Sequence, residues 1–186
     1  MNKYLQIQKE FQNEITKIIK EIFDNYDNVL ELKIEEVNLL QREDNCVESS
    51  TALGFLIEEF LVNKLITKTK VNEGNYNKIL VKRDSLKKTQ NSSFDFYSYF
   101  NHHLFLVNIK SVLKNNDAVA SINQLHKDYV LNYNENTKHF MLLKIFYTIQ
   151  KSKIKINNIK SFFLEEVDFS KGYMSYEIEK SFNNAF

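Results

Sequence analysis

Proline and tryptophan are absent from this 186-residue chain, glycine occurs three times and cysteine once. The lone Cys46 excludes an internal disulfide and a multi-thiolate metal centre, so a secreted disulfide scaffold and a zinc finger both fall away. A reducing, cytoplasmic setting is the expectation. No run approaches the roughly 18 apolar residues of a membrane span, and Met1 to Glu10 alternates polar and apolar residues where a signal sequence needs an apolar core. The scarcity of proline and glycine reflects compositional bias, and no function follows from it. What is abundant is hydrophobic: 43% apolar residues, with 15 Phe and 10 Tyr, against a formal net charge of +1. That balance excludes intrinsic disorder and suits one domain with a sizeable core.

The small net charge hides an uneven distribution. Glu21 to Glu59 is acidic apart from Lys33 and Arg42, whereas Lys64 to Lys88 is basic apart from Glu73 and Asp84. A second basic stretch, Lys144 to Lys160, contains no acid. A folded molecule of neutral total charge is thus able to present a positive face to a phosphate backbone.

Apolar residues at Tyr4, Phe11, Ile15, Ile18, Ile19, Ile22 and Tyr26 recur at helical steps and predict a long amphipathic N-terminal helix, able to dock on its own domain or on a second copy. Ser49, Ser50 or Thr51 offers an N-cap for a helix over Ala52 to Ile66, apolar nearly all round and therefore expected to be buried, yet carrying Glu58 and Glu59. Past Gly74 the pattern changes to short β-prone runs: Lys78 to Lys82, Ser93 to Phe100 and His103 to Ser111, with Phe100-Asn101-His102-His103 as a hairpin turn. A helix over Ala118 to Leu131 follows, then strands over His139 to Gln150 and Ile154 to Val167 and a short helix over Ser175 to Phe182. The expected fold is α/β (α+β), a central mixed β-sheet flanked by helices. It forms a single domain, with a helical N-terminal part over 1–48 and a core over about 49–167.

Glu58 lies mid-helix, Asp95 lies in one apolar strand, and Asn108 and Lys110, two apart on the next strand, share a face of the sheet. Phosphodiester hydrolysis needs a hard cation held by oxygens, a water, and a positive group for the charge developing on the phosphoryl oxygens. Asp95, Glu58 and the carbonyl of Ile109 supply oxygens, and Lys110 supplies the positive group.

Phe94-Asp95 followed by Val107-Asn108-Ile109-Lys110-Ser111 resembles the PD-(D/E)XK motif of type II restriction endonucleases, and Gly54-Phe55-Leu56-Ile57-Glu58-Glu59 resembles the acidic helix that precedes it. The order of elements from about Ser49 to Val167 is similar to the common core of that superfamily. The resemblance implies a restriction-endonuclease-like core with Asp95, Asn108, Lys110 and Glu58 as catalytic residues. It implies Mg2+ held by Asp95, Glu58, Asn108 and the Ile109 carbonyl. Double-stranded DNA is the implied substrate, cut at a specific site by a homodimer. Phosphate contacts are expected from Lys68, Lys70, Lys82, Arg83, Lys87 and Lys88. The pattern is departed from twice: Phe94 replaces the proline, and Asn108 replaces the second acid. An amide offers an oxygen but neither charge nor basicity.

Other readings remain open: a junction-resolving or repair nuclease with the same core, and a non-catalytic DNA-binding or assembly protein with a degenerate one. Glu59 stands beside Glu58 as an alternative ligand. His102 and His103 point to opposite faces if they lie in a strand, so a turn suits them better than joint ligation. Gln124 and His126 are expected at the solvent-facing side of their helix.

Overall fold

A computed structural model describes residues 3–31, 50–83, 93–113, 123–132, 137–150 and 153–164. Cys46, Lys87, Lys88 and the expected helix over Ser175 to Phe182 lie outside these residues. The elements are α1 (Lys3–Asp24), β1 (Val29–Glu31), α2 (Ser50–Thr69), β2 (Leu80–Lys82), β3 (Phe96–Phe100), β4 (His103–Leu113), α3 (Asn123–Asn132), β5 (Lys138–Gln150) and β6 (Lys153–Phe163). A single 3-10 turn, Lys70–Asn72, follows α2.

The six strands form one mixed sheet in the order β1-β6-β5-β4-β3-β2. Only β4 and β5 run parallel, pairing Leu104 with Lys138 through Leu113 with Tyr147. A parallel pair needs a crossover, and α3 lies on that connection. The remaining neighbours are antiparallel.

Alternation along β4 and β5 sorts side chains into two cores. Phe105, Val107, Ile109, Met141, Leu143, Ile145 and Tyr147 face α1 and α2, and meet Phe11, Ile15, Ile19, Leu53, Ile57, Leu61 and Leu65. Leu106, Phe140 and Leu142 face the other way and meet Leu125 of α3. The result is a sheet with two helices over one face and one over the other. The stripe of α1 is spent on its own domain: Phe11 stacks on Phe105 with ring centroids 3.8 Å apart. The all-round apolar helix α2 is buried on one side only, for Phe55 and Leu56 remain 54% and 45% exposed.

The hairpin turn between β3 and β4 has positive φ at both central residues, Asn101 (49°) and His102 (64°), as a two-residue turn matching strand twist requires. Strand β1 had no expectation in the sequence, because Val29, Leu30 and Glu31 are too few to show a period. The strand expected over Ser93 to Phe100 begins only at Phe96, and that shortening shapes the site. Among the described residues no helix is long and apolar enough to cross a membrane.

Candidate active site

The β3–β4 ladder runs from Phe100 opposite His103 to Phe96 opposite Val107 and stops there. One residue before β3, the Asp95 amide still donates to the Val107 carbonyl at 2.9 Å. The next donor on that edge of β4, the Ile109 amide, has no strand to meet. The Asp95 side chain replaces it, Oδ2 accepting from Ile109 N at 2.5 Å. A strand residue turns its N–H and C=O to the same side, so the Ile109 carbonyl also faces the opening that β3 leaves.

Helix α2 brings Glu58 to this opening. Leu53, Ile57, Leu61 and Leu65 anchor the helix on the sheet, and Glu58, next to Ile57, comes down half-buried beside Asp95. Burial, then the Asp95 charge and a hydrogen bond with Asp95, push the Glu58 carboxyl up to about 7, against the pull of Lys110. Asp95 is also raised, by its own burial, while the Ile109 N–H, Lys110, Glu58 and Arg83 hold it back. The hydrogen bond between them acts upward on Glu58 and downward on Asp95, so the pair shares a proton that two separate carboxylates would not keep.

Successive helical residues lie about 100° apart, and Glu59 is accordingly directed elsewhere. Its two oxygens accept from Arg83 Nη1 and Nη2 at 3.0 and 2.8 Å. This fork-on-fork pair ties α2 to the residue after β2.

Asn108 and Lys110 extend from the α3 face of β4. Asn108 is buried, and its Nδ2 donates to the Ser93 carbonyl at 3.1 Å. Its Oδ1 is buried without a hydrogen-bond partner among the described residues. Asp95 and Glu58 meet at the opening, while Asn108 approaches from the α3 face of β4; all of these side chains offer oxygen, which suits a hard cation such as Mg2+ and gives no purchase to a thiophilic metal. No group of three or more His, Cys, Asp or Glu side chains suited to a metal occurs among the described residues.

Of the six basic residues expected at phosphates, three are engaged with acids. Lys68 pairs with Glu21 at 2.7 Å, Lys82 with Glu73 at 3.7 Å, and Arg83 with Glu59. Lys70 is exposed. The sequence pattern did not show that Lys110, Lys144 and Lys160 stand directly opposite one another across β4, β5 and β6. Alternation around Leu142, Lys144 and Phe146 was the available signal, but pairing register cannot be read from one strand. Lys144 is nearly buried, and its Nζ and that of Lys160 lie 5.3 and 5.9 Å from the Phe146 ring centroid.

His102 sits in the turn, its ring stacked on Tyr76 at 5.0 Å. His103 turns instead to His139 of β5, Nδ1 to Nε2 at 2.8 Å, and His139 Nδ1 meets Gln8 Nε2 of α1 at 3.3 Å. His126, expected in solvent, is buried, because α3 lays its Leu125 to Tyr129 segment onto the sheet. Compared with known proteins, the chain matches no family model and no curated protein.

Proposed function

We propose that the protein is a Mg2+-dependent endonuclease that hydrolyses phosphodiester bonds of double-stranded DNA at a specific site, in the manner of a type II restriction enzyme. The observation that carries this reading is the seating of Asp95 on the Ile109 amide, beside Glu58 and Lys110, at the place where β3 leaves β4. The order α2, β3, β4, α3, β5, with Glu58 on the helix, Asp95 just before β3 and Lys110 on β4, supports this reading by its similarity to a restriction-endonuclease-like core.

In this reading Asp95, Glu58, Asn108 and the Ile109 carbonyl hold one Mg2+. Bound there, a divalent ion polarises a phosphoryl oxygen and makes water a better nucleophile at neutral pH. The chain's own groups do the rest. To serve as a ligand Glu58 would give up its proton, so that two carboxylates would balance the two positive charges of the ion. Lys110 lies beside both acids and stabilises the charge that develops on the phosphoryl oxygens. The exposed Lys70 and Lys160 contact backbone phosphates, which position the duplex without reading its sequence. A palindromic target calls for a two-fold homodimer, one site per strand.

Supercoiled plasmid incubated with the protein and Mg2+ is expected to yield discrete fragments. Asp95→Ala and Lys110→Ala are expected to abolish cutting while circular dichroism stays that of the folded protein. Undiminished cutting by either variant removes the proposed site. Cutting confined to branched substrates points to a junction-resolving or repair nuclease. The neutral Asn108 favours one rival, a non-catalytic DNA-binding or assembly protein, for which no substrate is cut.

A further inference from the structure

The Asn108 amide has two chemically different ends, and its surroundings distinguish them. The Ser93 carbonyl only accepts, so the NH2 must stand on its side. The oxygen then has no hydrogen-bond partner among the described residues although it is fully buried. Ser93 is itself buried, and its hydroxyl donates to the Asp128 carboxylate of α3. Ser93 also lies two residues before Asp95, so whatever fixes Ser93 fixes the approach of the segment that carries the acid. We propose that Asp128 and Ser93 are the positioning pair of this site: together they hold the Ser93 carbonyl against the Asn108 NH2, so that the amide oxygen serves as a ligand in place of a second carboxylate.

The proposal rests on the reading of the site as a divalent-ion centre, and it makes position 108 a place built for an amide. An aspartate there has no N–H for the Ser93 carbonyl and sets one oxygen against another. The extra negative charge is therefore offset by a lost hydrogen bond and a buried repulsion.

The test uses Mn2+ as the probe, followed by electron paramagnetic resonance and calorimetry on the full chain, with thermal unfolding of the ion-free protein measured in parallel. Outer-sphere partners of metal ligands typically change affinity by about 10–100-fold, and that loss is expected for Ser93→Ala and Asp128→Ala. Asp128→Asn keeps an oxygen for the Ser93 hydroxyl and is expected to bind Mn2+ like the wild type. Asn108→Asp is expected to bind no tighter than wild type. Should Asp128→Ala fail to fold, Ser93→Ala carries the same comparison. Unchanged Mn2+ affinity in Ser93→Ala, or a more than tenfold gain in Asn108→Asp, overturns the proposal and leaves the nuclease reading standing. Absence of Mn2+ binding by the wild-type chain overturns both.

Discussion

Glu58 illustrates how one side chain carries both a cost and a use. Its carboxyl moves from an ordinary 4.5 to about 7, chiefly through burial. Between those values the folded chain keeps a proton that the unfolded chain has lost. The stabilisation is thus full below pH 4.5 and is lost as the pH rises through 7. Glu58→Gln keeps a donor for Asp95 and sheds the charge, so denaturant titrations at pH 6 and pH 8 are expected to show a flatter stability profile than wild type. With Glu58 as a ligand, as proposed, ion binding would displace the same proton, so Mn2+ affinity of the wild type is expected to rise as the pH climbs through 7, and calorimetry in buffers of different ionisation enthalpy is expected to record proton release. A profile unchanged by Glu58→Gln would mean that this acid is not the one that titrates. The types and spacing of Glu58, Asp95, Asn108 and Lys110 were legible in the sequence. The choice between Glu58 and Glu59 was not, since it turns on the rotation of α2 and on Arg83, a residue twenty-four positions from Glu59.

At the scale of elements, scarcity of glycine did not prevent tight turns. Asp27, Asn28, Asn101 and His102 all take positive φ, as short polar side chains and histidine do more readily than others. Gly54, the one glycine inside a helix among the described residues, is dispensable there. A Cβ there would lie 3.6 Å from Ser111 Cβ, an ordinary contact. Gly54→Ala is therefore expected to stabilise the protein by about 0.5–1 kcal/mol through helix propensity alone, measured by urea unfolding. A loss of stability would show that α2 packs on β4 more closely than described. Helix and strand periods placed α1, α2, β4, β5 and β6 close to their positions. They overextended β3 because Phe94 and Asp95 fit an alternating strand, and only the partner strand reveals that the ladder stops at Val107.

The whole molecule is tied across its layers by a buried line of polar groups, Gln8 of α1 to His139 of β5 to His103 of β4. Burial first, and then the neighbouring His103, bring His139 down from 6.5 to about 3, so it stays neutral in the fold. Here the unfolded chain takes up the proton that the fold refuses. The stabilisation is full above pH 6.5 and is lost as the pH falls toward 3. His139→Phe preserves bulk but removes the titration. It is expected to be less stable than wild type at pH 7 and to lose less between pH 7 and pH 5, by chemical denaturation at both. An equal loss in wild type and variant would remove His139 as the acid-sensitive group. The basic run Lys64 to Lys88 follows the same logic of distance. It is contiguous along the chain, but Lys68, Lys82 and Arg83 are each held by an acid, whereas Lys110, Lys144 and Lys160, scattered in sequence, line up across three strands.

By itself the sequence determined the inventory and the local periods. These are an amphipathic α1, a second helix bearing adjacent glutamates, an Asp followed by x-x-Lys in β-prone runs, and the exclusion of thiolate chemistry. Those features act over a few residues, through rotation per residue and side-chain chemistry, and so are written along the chain. Tertiary structure decided what meets what: that β3 begins one residue after Asp95, that the Asp95 carboxylate takes the Ile109 amide, that Glu58 and not Glu59 reaches it, and that the Ser93 carbonyl meets the Asn108 amide while the Ser93 hydroxyl meets Asp128. Register, helix rotation and burial set those meetings, and each depends on surfaces contributed by residues far apart in the chain.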